Sequence, residues 1–245
     1  RNAIPASQLD TSRDQRRQPR PYPTDGAGDI GAFEDQGEAT PVQRIVINTN
    51  DSGAGSLRQI LIDCDEGDEI LFDAGLSGQT ITLNSGEIVI NKDVTLTGLG
   101  MNSLTISGND ASRVFTIAAG CSVAISDLTV AQGSVIAATP KGGGIYNEGM
   151  LVLSRVSVRD CMCKSTGSGD ASGGGIYSES NSSLEMTDCR LRMNTAEAYM
   201  QFVSGPIGFP MPVAGSASGG AIHSAGALSM DGCEVSNNTA KNINE

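Results

Sequence analysis

Hydrophobic and polar positions alternate in short bursts along this chain, and between Gly142 and Ala240 the same arrangement is written three times. Gly142-Gly143-Gly144-Ile145-Tyr146 leads to Leu151-Val152-Leu153 and then Val156-Ser157-Val158. Gly173-Gly174-Gly175-Ile176-Tyr177 leads to Leu184-Glu185-Met186 and Cys189-Arg190-Leu191. Gly219-Gly220-Ala221-Ile222-His223 leads to Leu228-Ser229-Met230 and Cys233-Glu234-Val235. Apolar-variable-apolar triplets are short strands with one buried and one wet face. Two turn residues separate the members of each pair: Ser154-Arg155, Thr187-Asp188 and Asp231-Gly232. Upstream, Val123-Ala124-Ile125 with Leu128-Thr129-Val130 fits the pattern, and Val94-Thr95-Leu96 starts a looser copy.

Successive copies begin 29, 28, 33 and 44 residues apart, at positions 94, 123, 151, 184 and 228. A repeat of roughly 20–50 residues is one supersecondary unit that must stack on its neighbours to bury a core. With three short strands and no helix per unit, the expected unit is one coil of a parallel β-helix, its strands pairing with the next coil at roughly 4.8 Å. Variable spacing fits, because extra residues bulge at a corner without disturbing the stack.

Residues 39–75 read as a strand-helix end-cap. Arg44-Ile45-Val46-Ile47-Asn48 is a strand. Ser56-Leu57-Arg58-Gln59 is a capping box in which Ser56 is the N-cap and the Gln59 side chain reaches back. The helix that follows puts Leu57, Ile60, Leu61 and Cys64 on one face, suited to covering the open end of a stack. From residue 76 to 245 strands dominate. The longest spacing hides an insertion at 197–218, with Pro206, Pro210 and Pro212 inside seven residues, which excludes a helix or a central strand. Its apolar Phe202, Ile207, Phe209 and Met211 either fold onto the chain's own coils or meet another subunit. Asn194 and Asn238 fall at matching positions and are expected to form a hydrogen-bonded ladder along one corner.

Composition narrows the picture. In 245 residues, 4% aromatic content with no Trp and 31 Gly suit a narrow interior with tight corners. Net charge −12 argues against nucleic acid or an anionic membrane as partner. No apolar run reaches the roughly 18 residues of a membrane span. A start at Arg1 without Met or signal peptide reads as a processed product or a slice of something longer. Cys189 and Cys233 share one inward position, so they are small buried hydrophobes or, alternatively, a disulfide between coils. Cys161-Met162-Cys163 lacks the second pair a zinc site needs. Asp63-Cys64-Asp65-Glu66-Gly67-Asp68-Glu69 misses the EF-hand glycine and reads as an exposed turn.

The outward positions offer little catalytic chemistry. Glu185 has no carboxylate above or below it, whereas a glycosidase needs two acids across a groove. Arg190 and Glu234 stack as a surface pair, and His223 stands where Tyr146 and Tyr177 stand in earlier copies. No catalytic, cofactor-binding or metal residue is expected, and no cofactor.

Residues 1–38 differ in kind. They carry Asp14-Gln15-Arg16-Arg17-Gln18-Pro19-Arg20-Pro21 and then Asp29-Ile30-Gly31-Ala32-Phe33-Glu34. This resembles the DQRG-x-PR…DIGAFE segment closing modules in bacterial secreted parallel β-helix proteins with choice-of-anchor domains. Arg17 replaces the usual Gly, and Gly28 stands where Cys is usual. The Asn50–Ile60 wording resembles the opening of the same family's modules. The resemblance implies an extended segment that closes a preceding module or a neighbouring subunit, and a secreted or cell-surface location. Residues 1–20 have five Arg and two Asp, or +3, leaving 11 basic and 26 acidic residues, or −15, in the remainder. Arg16, Arg17, Arg20, Ile207, Phe209 and Met211 are therefore the expected subunit contacts.

Pattern and resemblance together give an all-β fold: a right-handed parallel β-helix (solenoid) with an N-terminal amphipathic capping helix and an extended N-terminal segment. The expected function is a non-catalytic extracellular structural or adhesive unit of a surface protein, tandem array or head-to-tail filament. Its partners would be copies of itself or adjacent modules, with cell-surface polysaccharide as a further ligand. A pectate-lyase-like carbohydrate enzyme or a carbohydrate-binding module is the alternative.

Overall fold

The computed structural model describes residues 41–204 and 210–244, and the side chains of all but 200–204, 210–214 and 244. The segment at 1–38, with Arg16, Arg17 and Arg20, lies outside the described residues, as do Ile207 and Phe209. Met211 falls in the strand Pro210–Ala214, its side chain not among those described.

From Pro41 onward the regular structure is almost all strand, mostly in parallel, in-register, solenoid-like sheets. The copies found by spacing are the copies that pair: Val94 lies beside Val123, Val123 beside Leu151, Leu151 beside Leu184, and Leu184 beside Leu228. The stack also extends two rungs further upstream. Glu69–Phe72 pairs with Val94–Thr97, and Gln43–Val46 pairs with Glu69–Phe72, so one eleven-stranded sheet runs through residue 75 without a break. A second sheet of five strands carries Ile88–Ile90, Phe115–Ile117, Ile145–Asn147, Ile176–Ser178 and Ile222–Ser224. A third, also of five, is built on Ser134–Ala137, Met162–Ser165, Thr195–Ser204 and Thr239–Asn244.

Period-two alternation aims every second side chain inward, and parallel register piles like on like. Ile70, Leu96, Ile125, Leu153 and Met186 form one buried column, and Ile81, Ile106, Val130, Val158 and Leu191 another. Corners between the strands are made by residues with left-handed backbone. Asp127, Arg155, Asp188 and Gly232 take φ of 57°, 52°, 53° and 60° at one corner, and Gln132, Asp160, Met193 and Asn237 take 51–56° at the next. Single residues with positive φ reverse the chain's direction sharply without a long loop.

The Gly-Gly-Gly runs are explained by the third corner. Gly173 has φ 69°, and a Cβ there would lie 2.2 Å from the Ile176 carbonyl oxygen. Gly174 is hemmed in between coils, its imagined Cβ 2.4 Å from the Gly220 oxygen and from the Thr195 carbonyl carbon. One glycine turns the chain and the next lets two backbones approach.

Leu57–Asp63 is the one α-helix among the described residues, and Leu57, Leu61 and Cys64 are buried in the main core with Ile60 against it. Ser56 caps it, accepting from the Gln59 N–H at 3.2 Å. The other half of the expected capping box is not made. Gly53's carbonyl already takes the Ser56 N–H at 3.1 Å, so Gln59 turns forward to Asp63 instead, at 2.9 Å. Arg58 fastens the helix to the next coil through the Gly86 and Glu87 carbonyls at 2.6 and 2.8 Å. Lys92 donates to the Ile62 and Cys64 carbonyls at its C-terminal end, where a cation is favourable.

The proline-rich insertion holds an edge strand, in keeping with the exclusion of a helix or a central strand. Pro210–Ala214 is a strand, antiparallel to Met200–Ser204. It lies at the edge of its sheet, where a missing N–H leaves no gap in a ladder.

Candidate functional site

The densest cluster of chemically active side chains lies on the outward face of the second sheet. Register aligns Val89, Thr116, Tyr146, Tyr177 and His223 in one column. Tyr146 and Tyr177 stack with centroids 5.9 Å apart, and Tyr177 and His223 at 5.0 Å with planes within 6°. Cations arrive from the loops beside them. The Arg113 guanidinium lies 5.1 Å from the Tyr146 centroid and the Lys141 ammonium 4.5 Å from that of Tyr177. Arg113 also holds Glu87 at 2.5 Å and the Gly142 carbonyl at 2.8 Å. Lys141 holds Glu179 at 2.7 Å, and the Tyr146 hydroxyl donates to the same carboxylate at 2.8 Å. His223 Nδ1 is 2.8 Å from Ser218 Oγ, which is 3.0 Å from Ser172 Oγ.

Three groups of this arrangement are shifted away from neutral pH. The hydrogen bond to Glu179 raises the Lys141 pKa against the opposing effect of burial, so the amine stays charged. Burial first, then the neighbouring Glu179 and Glu148, push the Tyr146 phenol well above its ordinary value. The Lys141 hydrogen bond lowers Glu179 below the usual carboxylate range. A general base or acid works best near the ambient pH, and all three move away from it. The ring faces are occupied as well: Tyr177, 7% exposed, lies between Tyr146, His223 and Lys141. Among the described residues, no group of three or more His, Cys, Asp or Glu is placed to hold a metal ion.

Asn194 and Asn238 are brought together as expected. Asn194, fully buried, donates from Nδ2 to Asn238 Oδ1 at 2.9 Å and to the Val158 carbonyl at 2.9 Å. Its own Oδ1 accepts from the Cys161 N–H at 3.1 Å. All six cysteines are free thiols. Cys189 occupies the inward column above Val156 and Leu128, and burial pushes its thiol up to about 11. Burial likewise takes Cys161 and Cys163 to about 12. Arg190 and Glu234 do pair, at 3.7 Å and each roughly half exposed, a geometry that contributes little.

One acidic residue is misplaced by the exposed-turn reading. Asp68 is 1% exposed and accepts from the backbone N–H of Val42 and of Asp65, both at 2.9 Å, and from Arg44 Nε. Burial alone raises its pKa, but these bonds outweigh it and hold the carboxyl at about 2. A carboxyl whose folded pKa lies below its ordinary 3.8 stabilises the fold above that value, and the contribution disappears as pH falls toward about 2. Asp68→Asn is expected to cost about 1–3 kcal/mol at neutral pH and to flatten the acid limb of the stability curve between those values. Urea unfolding at stepped pH measures both.

Sequence periodicity located the Tyr146-Tyr177-His223 column but not Arg113, Lys141, Glu87 or Glu179, because those sit in loops of unequal length. The signal available was local: Lys141 immediately precedes the glycine run, and Arg113 precedes the strand Phe115–Ile117 by two residues. No family model, curated protein or solved structure matches this chain.

Proposed function

We propose that this chain is a non-catalytic, extracellular structural or adhesive unit: a right-handed β-helix whose coils stack end to end in an array or filament at a bacterial cell surface. One observation carries the reading. The same short strand recurs in parallel register from coil to coil, Val94 beside Val123, Val123 beside Leu151, Leu151 beside Leu184 and Leu184 beside Leu228. Each coil buries its inward column only against its neighbours, so the unit is one that stacks, within a chain or between chains. The Leu57–Asp63 helix serves as the cap, its apolar face over the first coils.

The resemblance of residues 14–34 to a module-closing segment points the same way and supplies the surface location. Lys141, Tyr146 and Glu179, each shifted away from neutral pH, and the covered Tyr177 ring give a pectate-lyase-like enzyme little support. Sedimentation velocity is the test. Elongated species should grow with protein concentration and vanish in Leu228→Glu/Val235→Glu, which place charge in two of the stacking columns, with circular dichroism checking that the variant is folded. A compact monomer at every concentration would overturn the head-to-tail reading.

A further inference from the structure

A second outward face brings three arginines together, one of them without an ion pair among the described residues. Arg190 and Arg192 are two apart on the strand Arg190–Arg192, so both point outward on either side of buried Leu191. In the parallel register Arg159 lies beside Arg192, one coil away, at a strand spacing of roughly 4.8 Å. Three guanidinium groups therefore share one face of two adjacent coils, in a chain where acidic residues outnumber basic ones 28 to 16.

Their compensation is incomplete. Arg159 donates to Asp160 at 2.6 Å. Among the described residues Arg190 has Glu234 alone, at 3.7 Å and without a hydrogen bond. Arg192 forms neither an ion pair nor a hydrogen bond among the described residues, and its Nε is buried without a partner. Like charges directly opposite on paired strands repel, and a scaffold position has no need of them. The arginine fork is, however, the side chain best matched to a planar or tetrahedral oxyanion. The three forks are spread over two coils, so a ligand that repeats its oxyanion along a chain can meet more than one of them.

We propose that Arg159, Arg190 and Arg192 form a binding strip for the oxyanions of an acidic polysaccharide, a polymer bearing carboxylates or sulfate esters. The strip goes beyond the structural role and does not depend on head-to-tail assembly. Binding of polygalacturonate and dextran sulfate is measured at low and high salt, with neutral dextran and inorganic phosphate as comparison arms. The intact protein should bind the two anionic polymers, with affinity falling as salt rises. Arg159→Ala/Arg192→Ala should weaken binding at least about tenfold, whereas Lys241→Ala on the third sheet should not. Circular dichroism should show both variants folded, since Arg159 is 37% exposed in its side chain and Arg192 lacks a partner to lose. No binding to either polymer, equal binding to neutral dextran, undiminished binding by the double variant, or binding of free phosphate alone would each overturn the proposal. Sedimentation judges the array separately, so the two readings fail independently.

Discussion

Phe115→Ala should lower stability by about 3–5 kcal/mol, seen as a shift of the denaturant midpoint followed by circular dichroism. Phe115 is fully buried and is the largest side chain in the inward column Ile88, Phe115, Ile145, Ile176 of the second sheet. Removing the ring loses its transfer free energy and leaves a cavity that stacked backbones on either side cannot close. Since whole domains are stable by only about 5–15 kcal/mol, a loss of this size is a large share. Phe115→Leu keeps most of the volume and should cost under about 1.5 kcal/mol. Equal, small effects from both substitutions would place the ring outside the interior.

The second large effect is expected at Asn194. Alanine there removes the acceptor for the Cys161 N–H and the donor to the Val158 carbonyl, and it breaks the link to Asn238. Buried backbone groups left without partners cost about 1–3 kcal/mol each, so Asn194→Ala should lose about 2–4 kcal/mol. Asn194→Asp distinguishes hydrogen bonding from packing, because the shape is kept. Its second oxygen would face two acceptors, Val158 O and Asn238 Oδ1, in a buried site. The folded pKa of that carboxyl is raised, so its penalty should grow as pH rises above the ordinary carboxylate value. Chemical unfolding at acidic and neutral pH reads this directly. An aspartate variant indifferent to pH would show that the corner is wet.

Much of this fold was legible because stacking converts sequence spacing into spatial adjacency. The unequal intervals of 28 to 44 residues are real register, since a corner absorbs extra residues while the inward columns stay aligned. The two lower rungs escaped notice for a physical reason. In them Glu69–Phe72 is followed by a 3-10 turn, Ala74–Leu76, before Gln79–Thr82, so the two-residue corner that marks later copies is missing. Glycine runs were visible as a motif, but their role required knowing that another backbone passes within reach of Gly174. Asp68 looked like one more acid in an exposed turn, because its partners Arg44 and Val42 precede it by 24 and 26 residues. Arg159 and Arg192 read singly as surface charges. Only the register puts them side by side.

The head-to-tail reading and the arginine strip share a single premise, that residues 28 to 44 apart are backbone neighbours in parallel strands. Nuclear Overhauser contacts between backbone protons test it most directly. The account predicts contacts linking Leu151 to Leu184 and Leu184 to Leu228, repeated along each strand in the same direction. Antiparallel contacts joining Leu151–Leu153 to Val156–Val158, or Leu184–Met186 to Arg190–Arg192, as in hairpins, would contradict it.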